Sequence, residues 1–213
     1  MIVVGLTGSI GMGKTTANMA FASLGVRTWN ADSEVHCLLS RGGAAVYPIS
    51  KLFPKAFCDD PKGSYINRNI LSKNIFQNAE ALNVLEDILH PLVKKAQQKF
   101  LLVASMHRCS LVVLDVPLLF ETHGDTQCDA TIVVSAPPFV QKLRVLKRAG
   151  MTNEKFIDII HRQMPDQEKR RKADFTISTG QDKRAMLRSV RKIVQILNGN
   201  RDKFSSRLWY KPV

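Results

Sequence analysis

The sequence has few acidic residues, few cysteines and no long apolar run, and each shortage excludes a class of protein. Its 213 residues include 18 Asp and Glu against 31 Lys and Arg, which gives a formal net charge of +13. No C-x-x-C pair occurs among Cys37, Cys58, Cys109 and Cys128, which argues against a zinc site or a disulfide framework. No apolar stretch could span a bilayer, and the N-terminus lacks a signal-peptide pattern. We therefore expect a cytoplasmic protein without a membrane anchor.

The positive charge is concentrated in the second half of the chain. Residues 142 to 172 carry ten Lys and Arg against four Asp and Glu, and residues 181 to 213 carry nine against two. Such a surface could attract nucleic acid, an anionic membrane or a phosphorylated small molecule, or it could simply be solvated. Aromatic residues make up only 7% of the chain, and few lie among the basic ones. Because single-stranded nucleic acid is commonly bound by stacking on aromatic side chains, we expect no nucleic-acid partner.

A glycine-rich stretch near the N-terminus carries the clearest chemical signal. Residues 8 to 15 read Gly-Ser-Ile-Gly-Met-Gly-Lys-Thr and follow the apolar run of residues 2 to 6. This is the pattern G-x-x-x-x-G-K-[ST] of a phosphate-binding loop, in which backbone N–H groups converge on phosphate oxygens. The alternative is an ordinary strand–loop–helix connection that happens to contain glycines. The strand context favours a site for ATP, and the residues predicted to bind it are Gly8, Gly11, Met12, Gly13, Lys14, Thr15 and Thr16.

The remaining pattern predicts an α/β fold: a three-layer P-loop NTPase core with a parallel sheet. The expected strands are residues 2–6, 26–29, 111–115, 130–134 and 175–178, and the expected helices include residues 14–24, 153–163, 183–197 and one that begins at Ser33. We expect the core to comprise residues 1–40, 107–141 and 173–200. A helical insertion spans residues 41–106, a basic helical lid spans residues 142–172, and residues 201–213 form a tail.

Acidic residues follow two of these strands. Ligands of open parallel sheets bind beyond the carboxyl ends of the strands, which is where Asp32, Asp115 and Glu121 are predicted to lie. Asp32 could accept a proton from an attacking hydroxyl group or help to hold Mg²⁺, but it could equally cap the helix that follows. Asp115 could orient Mg²⁺ together with the Thr15 hydroxyl, or it could be a structural carboxylate at a strand end.

The basic segment offers candidates for the stabilisation of a transferred phosphoryl group. Arg148 and Arg162 each end a predicted helix beside a break in the pattern, and arginines on a closing lid can neutralise charge and exclude water. A solvated pair of charged helices is the simpler alternative. His90 precedes Pro91, which should kink the long helix that begins after Asn78. For a single histidine, a packing role is the ordinary explanation.

Several motifs together resemble the dephospho-CoA kinase family, whose members phosphorylate the ribose 3′-hydroxyl of dephospho-CoA. The resemblance extends over residues 2 to 197. The motifs that carry it are the P-loop, Asn30-Ala31-Asp32, Leu89-His90-Pro91-Leu92, Asp115-Val116-Pro117-Leu118-Leu119-Phe120-Glu121, Arg162-Gln163-Met164-Pro165 and Ala173-Asp174. The P-loop is shared by many NTPases, whereas the ordered set is far more specific.

The resemblance implies an ATP- and Mg²⁺-dependent kinase with a helical domain that receives dephospho-CoA. It implies that Asp32 is the base, that Lys14, Arg148 and Arg162 act on the phosphates, and that Thr15 and Asp115 hold the metal. Contacts to the substrate are implied for a larger set of residues: Asp32, Arg68, His90, Pro117, Leu118 and Glu121. We expect a monomer. The chain departs from the family where Asn30 replaces a common aspartate and Thr179 replaces a common asparagine.

Two other classes of function compete with this interpretation. Another small-molecule or nucleoside monophosphate kinase would share the P-loop and the lid. A nucleotide-dependent switch or a nucleic-acid-binding ATPase would use the positive surface differently. A GTPase switch should carry an Asn-Lys-x-Asp guanine motif, and the sequence contains none.

Overall fold

The computed structural model describes residues 1–75, 78–180 and 182–204. In this part of the chain the strands are β1 (Ile2–Thr7), β2 (Arg27–Asn30), β3 (Phe57–Cys58), β4 (Tyr65–Ile66), β5 (Leu111–Asp115), β6 (Ala130–Ser135) and β7 (Phe175–Ser178). The α-helices are α1 (Lys14–Ser23), α2 (Ala31–Leu39), α3 (Val46–Leu52), α4 (Arg68–Ile75), α5 (Ala79–Met106), α6 (Pro138–Leu146), α7 (Asn153–His161), α8 (Asp166–Lys172), α9 (Lys183–Gly199) and α10 (Arg201–Phe204).

The chain divides into two compact units. One comprises residues 1–29 and 101–213, and the other comprises residues 30–100. In the first unit the described strands form a sheet with the order β2-β5-β1-β6-β7. The pairs β1–β5, β1–β6 and β6–β7 are parallel, and Leu6 of β1 lies opposite both Asp115 of β5 and Ile132 of β6. The carboxyl ends of these strands therefore lie at one edge of the sheet.

The core of the first unit is built around β1. Every residue of this strand is buried, as expected of a central parallel strand that is covered on both faces. Ile2, Val4 and Leu6 pack in one cluster with Phe21 of α1 and Val190 of α9. These two helices therefore cover the same face of the sheet, while α8 packs on β6. Burial of this apolar surface is the main favourable contribution to the stability of the unit.

The second unit has its own apolar core. The members of this cluster come from α2, α3, α4, the amino-terminal part of α5 and the hairpin formed by β3 and β4. Leu85 and Leu89 contribute from α5 and are buried. They lie four residues apart, so their side chains share one face of the helix. The helix continues beyond Pro91 to Met106, so this proline does not end it.

The α/β fold expected from the sequence is confirmed, and most predicted elements occur within a few residues of their expected bounds. The longest helix begins just after Asn78 as predicted, and the side chain of Asn78 accepts a hydrogen bond from the Ala81 N–H at 3.0 Å. Gly25 follows α1 with a φ of +78°, the left-handed conformation typical of a glycine just after a helix. The helix expected over residues 183–197 is also present as α9, which buries Met186, Val190 and Leu197.

The predicted start of α2 is wrong. The helix begins at Ala31, and its cap is Asn30, whose Oδ1 atom accepts a hydrogen bond from the Ser33 N–H at 2.8 Å. Asparagine caps as well as aspartate because its amide oxygen offers the same acceptor. Neither Asp32 nor Ser33 is the cap. Asp32 instead lies in the first turn of the helix, where a negative side chain suits the helix dipole.

Two further expectations differ from the structure. The turn at residues 59–63 joins the short strands β3 and β4, so the insertion contains a hairpin that the sequence pattern did not predict. The helix that Arg148 was predicted to end stops earlier, at Leu146, and leaves Arg148 in the connection that follows. The predicted tail lies outside the described residues from residue 205 onward. Among the described helices, none is both long enough and apolar enough to cross a membrane.

The packing around β1 predicts a large loss of stability when Phe21 is truncated. This side chain is fully buried, whereas Phe139 on α6 is 75% exposed and provides a control of the same chemistry. Phe21→Ala should lower the free energy of unfolding by about 3–5 kcal/mol because it leaves a cavity. Phe139→Ala should change it by less than about 0.5 kcal/mol. Urea denaturation followed by circular dichroism measures both values, and equal effects of the two substitutions would contradict the assigned core.

Candidate active site

The P-loop (residues 8–15) follows β1 and has a backbone shape that only glycine allows at two positions. Gly11 and Gly13 have φ values of +77° and +90°, in the left-handed region. There is also no room for a side chain at either position. A Cβ atom at Gly11 would lie 2.5 Å from Val145 Cγ2, and one at Gly13 would lie 2.9 Å from Thr179 Oγ1. The loop is therefore fixed in shape by its packing as well as by its glycines.

The P-loop leads directly into α1, which begins at Lys14. The N–H groups in the first turn of a helix have no acceptor within the helix, and the helix dipole places partial positive charge there. Lys14, Thr15 and Thr16 form this turn, and both threonines are exposed. A helix start preceded by a glycine-rich loop is a general binding site for phosphate groups. The arrangement supports the predicted role of residues 8–16 in binding a nucleotide.

Lys14 and Asp115 form an ion pair between Nζ and Oδ1. The Asp115 side chain is fully buried, and that of Lys14 is only 14% exposed. Asp115 is the last residue of β5 and lies opposite Leu6 of β1, so the parallel register places its carboxylate near the start of the P-loop. The structure therefore brings together two of the residues predicted from the sequence. Each charge compensates the other in a region from which water is largely excluded.

The side chains present fit the predicted magnesium ion. Mg²⁺ in kinases is usually held by one or two protein oxygens together with oxygens of the substrate phosphates. Thr15 offers a hydroxyl group and Asp115 offers a carboxylate next to the P-loop lysine, which is a donor set of this kind. Among the described residues, no group of three or more His, Cys, Asp or Glu side chains could hold a metal ion by itself. A metal ion here would therefore depend on the nucleotide for most of its ligands.

The segment after β5 contains three of the predicted substrate-binding residues, and the structure gives two of them internal contacts. The carbonyl oxygen of Pro117 accepts a hydrogen bond from Thr7 Oγ1 at 2.9 Å. Glu121 Oε1 accepts the Met164 N–H at 2.8 Å and pairs with Lys169 Nζ at 2.8 Å. Lys169 is completely buried, so this charge requires Glu121 as its partner. The side chain of Leu118, in contrast, is 40% exposed.

Polar side chains from three later parts of the chain support the P-loop backbone. Gln141 Nε2 donates to the Ile10 carbonyl at 2.8 Å, and Gln163 Oε1 accepts the Ile10 N–H at 3.0 Å. The Thr179 hydroxyl donates to the Met12 carbonyl, and Arg144 donates to the Thr179 carbonyl at 2.6 Å. Thr179 thus uses its hydroxyl hydrogen within the protein. Nothing in the sequence indicated the contacts of Gln141, Arg144 and Thr179, and Gln163 appeared only as part of a motif.

The two predicted lid arginines lie at positions where helices have just ended. Arg162 is the C-cap of α7, and Arg148 follows α6 by two residues. Both side chains are exposed. Arg162 is flanked by Gln163, which contacts the P-loop, and so its backbone is held close to the phosphate-binding region.

The second unit contains a cavity of about 400 Å³ with polar walls. Its lining residues are His36, Leu39, Ser40, Arg41, Tyr65, Ile66, Asn67, Arg68 and Asn69. Arg68 was predicted from the resemblance to contact substrate, and the cavity is consistent with that role. Neither Asp32 nor His90 lines the described walls of this cavity, although His36 lies one helical turn after Asp32 on α2. Most of the other lining residues had no signal in the sequence.

One wall of this cavity is fixed by an arginine that the sequence analysis did not identify. The Arg41 guanidinium forms an ion pair with Asp60 through two hydrogen bonds and lies 4.7 Å from the centre of the Tyr65 ring. The hydrogen bond from Arg41 lowers the pKa of the Asp60 carboxyl group below its ordinary value. The hydrogen bond with Cys58 raises the pKa of the Tyr65 hydroxyl. Both groups therefore keep their ordinary charge states at neutral pH.

The family model described as dephospho-CoA kinase matches residues 2–183. The dephospho-CoA kinase of Paramagnetospirillum magneticum is 45% identical over 201 residues, which cover 94% of this chain and 93% of the relative. That of Rhizobium meliloti is 44% identical over 197 residues, which cover 92% and 98% of the two chains.

Solved structures agree with the sequence relatives. A crystal structure of a Thermus thermophilus protein has a TM-score of 0.74 at 28% identity and covers 92% of this chain and 96% of its own. The dephospho-CoA kinase from Campylobacter jejuni has a TM-score of 0.65 at 23% identity, with coverages of 92% and 96%, and supports the fold. Together with the P-loop and its buried Lys14–Asp115 pair, these matches show that the chain belongs to the dephospho-CoA kinase family and is an ATP-dependent kinase.

Proposed function

We propose that this protein transfers the γ-phosphoryl group of ATP to the 3′-hydroxyl group of the dephospho-CoA ribose, which yields CoA and ADP. The observation that carries the proposal is the Lys14–Asp115 pair at the P-loop of a chain that matches this family over most of its length. In the reaction the ribose oxygen forms a bond to the γ-phosphorus, and the bond from that phosphorus to the β,γ-bridging oxygen breaks. The hydroxyl proton must be accepted by a base.

Lys14 and the first turn of α1 would hold the donor phosphates. A lysine ammonium group has three N–H donors, so its ion pair with Asp115 leaves others for the β- and γ-phosphate oxygens. The N–H groups at the start of α1 would bind the remaining oxygens. We propose Thr15 and Asp115 as the protein ligands of Mg²⁺. When bound, this ion neutralises phosphate charge and orients the γ-phosphoryl group.

Asp32 is the proposed base. Because Asn30 caps α2, the competing explanation of Asp32 as the cap no longer applies. The Asp32 side chain is exposed in the first turn of the helix, where a substrate can reach it. Its carboxylate would accept or orient the hydroxyl proton as the phosphoryl group is transferred. This assignment keeps the role that the resemblance implies for Asp32.

The cavity in the second unit is the proposed binding site for part of the acceptor. Dephospho-CoA carries a diphosphate and several hydrogen-bonding groups, and the cavity offers Arg68, two asparagines and a serine to such a molecule. An arginine is well suited to phosphate because its planar donors can form two parallel hydrogen bonds. His90 is proposed as a second contact from α5. We further propose that Leu118 and Glu121, with Pro117, border the acceptor after β5.

Arg148 and Arg162 are the lid residues that we propose to stabilise the phosphoryl group during its transfer. Charge develops over the oxygens of that group during transfer, and guanidinium groups placed beside it stabilise the transition state more than the ground state. Both side chains are exposed and follow helix ends within the most basic part of the chain. Their positive charge would thus be available when nucleotide is bound.

The first prediction concerns the reaction itself. Purified protein with ATP and Mg²⁺ should convert dephospho-CoA to CoA with the formation of one ADP per CoA, measured by coupled ADP detection and by chromatography of the CoA product. Adenosine, AMP and shikimate serve as alternative acceptors in the same assay. Turnover of one of these without turnover of dephospho-CoA would contradict the proposed substrate.

The second prediction concerns the base. Asp32→Asn should lower kcat by about 10²–10⁴-fold because the amide cannot accept the proton, while the Kd for ATP stays within about twofold. Glu34→Gln is a matched control, since Glu34 is the other acidic residue in the first turn of α2. That control should retain kcat within about threefold. An Asp32→Asn variant with full kcat would place the base elsewhere.

The third prediction concerns the cavity. Arg68→Ala should raise the KM for dephospho-CoA by about 10–100-fold through the loss of charge-assisted hydrogen bonds, and it should leave the KM for ATP nearly unchanged. Lys73→Ala removes a positive charge from the same helix at a position that does not line the described cavity. Steady-state kinetics with each substrate varied separately distinguish the two variants. Equal effects of Arg68→Ala on the KM values for dephospho-CoA and ATP would contradict the assignment of the cavity to the acceptor site.

A further inference from the structure

Two glutamine side chains bind the backbone N–H and the backbone carbonyl of one P-loop residue, Ile10. Gln163 Oε1 accepts the Ile10 N–H at 3.0 Å, and Gln141 Nε2 donates to the Ile10 carbonyl at 2.8 Å. The two glutamines reach Ile10 from 153 and 131 residues away in the sequence. Both contacts therefore join distant parts of the chain. Gln141 belongs to α6, whereas Gln163 lies between α7 and α8.

The residue after Gln163 is also held, but by a different partner. The Met164 N–H donates to Glu121 Oε1 at 2.8 Å. Glu121 is fixed in turn by Lys169, which is completely buried and also lies 3.4 Å from the Pro117 carbonyl oxygen. Residue 163 is thus hydrogen-bonded to the P-loop, and residue 164 is hydrogen-bonded to the segment after β5. Two such contacts on adjacent residues restrict both the position and the direction of the chain.

Arg162 lies immediately before these two residues. The Arg162 N–H donates to the Ile159 carbonyl at 3.3 Å, and the Gln163 N–H donates to the Ile160 carbonyl at 3.0 Å. The last turn of α7 therefore also restrains the backbone of Arg162. The Cα atoms of Arg162 and Gln163 are one residue apart, which is about 3.8 Å. The hydrogen bond that Gln163 accepts from the Ile10 N–H therefore restrains the backbone from which the Arg162 side chain extends.

We propose that Gln163 is a positioning residue that acts through Arg162. Its amide oxygen, bonded to the Ile10 N–H, keeps the backbone of Arg162 at a set distance from the P-loop, so that the guanidinium group is oriented before phosphoryl transfer begins. The inference rests on the proposed role of Arg162. Gln141 binds the carbonyl group of the same residue from α6 and supports the loop without acting through Arg162.

The test is a double-mutant cycle between Gln163 and Arg162. Gln163→Met removes the acceptor at similar size and should lower kcat about tenfold, with a change of less than about threefold in the KM for ATP. In an Arg162→Ala background the same substitution should lower kcat by less than about twofold, because the group it positions is gone. Gln163→Glu keeps an oxygen acceptor for the Ile10 N–H and should recover most of the lost kcat.

Gln141→Met is the matched control, because it removes the other amide contact to Ile10. It should lower kcat by the same factor with and without Arg162, as expected for independent effects. Thermal unfolding of each variant measures folding separately, and Gln163→Ala gives a second truncation for the cycle if Gln163→Met does not fold.

Several results would overturn the inference. These are equal losses from Gln163→Met in both backgrounds, equal coupling of Gln141 and Gln163 to Arg162, and no recovery in Gln163→Glu. If Arg162→Ala alone retained full kcat, the role of Arg162 in the proposed function would fail, and the inference with it. If Arg162→Ala greatly lowered kcat and the effect of Gln163→Met were simply additive to it, the proposed function would stand and only the role of Gln163 would be contradicted.

Discussion

The buried ion pair between Lys14 and Asp115 is the interaction on which the first unit depends most directly. A fully buried carboxylate is stable only if a positive charge and hydrogen bonds compensate the loss of water. The pair forms because β1 and β5 are parallel with Leu6 opposite Asp115, so that the end of one strand lies beside the loop that follows the other. Loss of Lys14 would remove the positive charge that lies beside the buried carboxylate. The sheet register and the chemistry of the P-loop are therefore linked.

A second constraint is the support of a glycine-rich loop by side chains from elsewhere. Glycines give the P-loop its shape but offer no side chains with which to hold it. Gln141, Gln163 and Thr179 supply hydrogen bonds to the loop backbone, and Val145 packs where a Cβ atom of Gly11 would lie. Such preorganisation matters because a donor that must first be brought into place stabilises a transition state less well than one already fixed.

The sequence predicted the α/β fold because its signals are local and strong. The apolar strands β1, β5 and β6 are buried along their whole length, and the buried face of α9 follows helical spacing closely. The hairpin of β3 and β4 was missed because each strand has only two residues, too few for an alternating pattern. The cap of α2 was misplaced because three neighbouring residues, Asn30, Asp32 and Ser33, can all serve as caps.

The residues of the candidate site also differ in how far the sequence predicted them. The P-loop was evident from residue type and spacing, because phosphate binding requires a particular order of glycine, lysine and hydroxyl groups along a short segment. Asp115 was a candidate because it ends an apolar strand. The resemblance added Arg68 and the Arg162-Gln163-Met164-Pro165 motif as expectations, and it implied the role of Asp32 as the base and of His90 as a substrate contact.

Only the tertiary structure showed which distant side chains meet. The contact of Gln163 with Ile10, the pairing of Lys169 with Glu121 and the cavity wall formed by Arg41 and Tyr65 join residues whose separation in the sequence carries no pattern. The sequence by itself thus determined the phosphate-binding loop and the order of the elements, since both are encoded in adjacent residues. The folded chain decided how that loop is held, because hydrogen bonds and ion pairs depend on distances that exist only after the elements have packed.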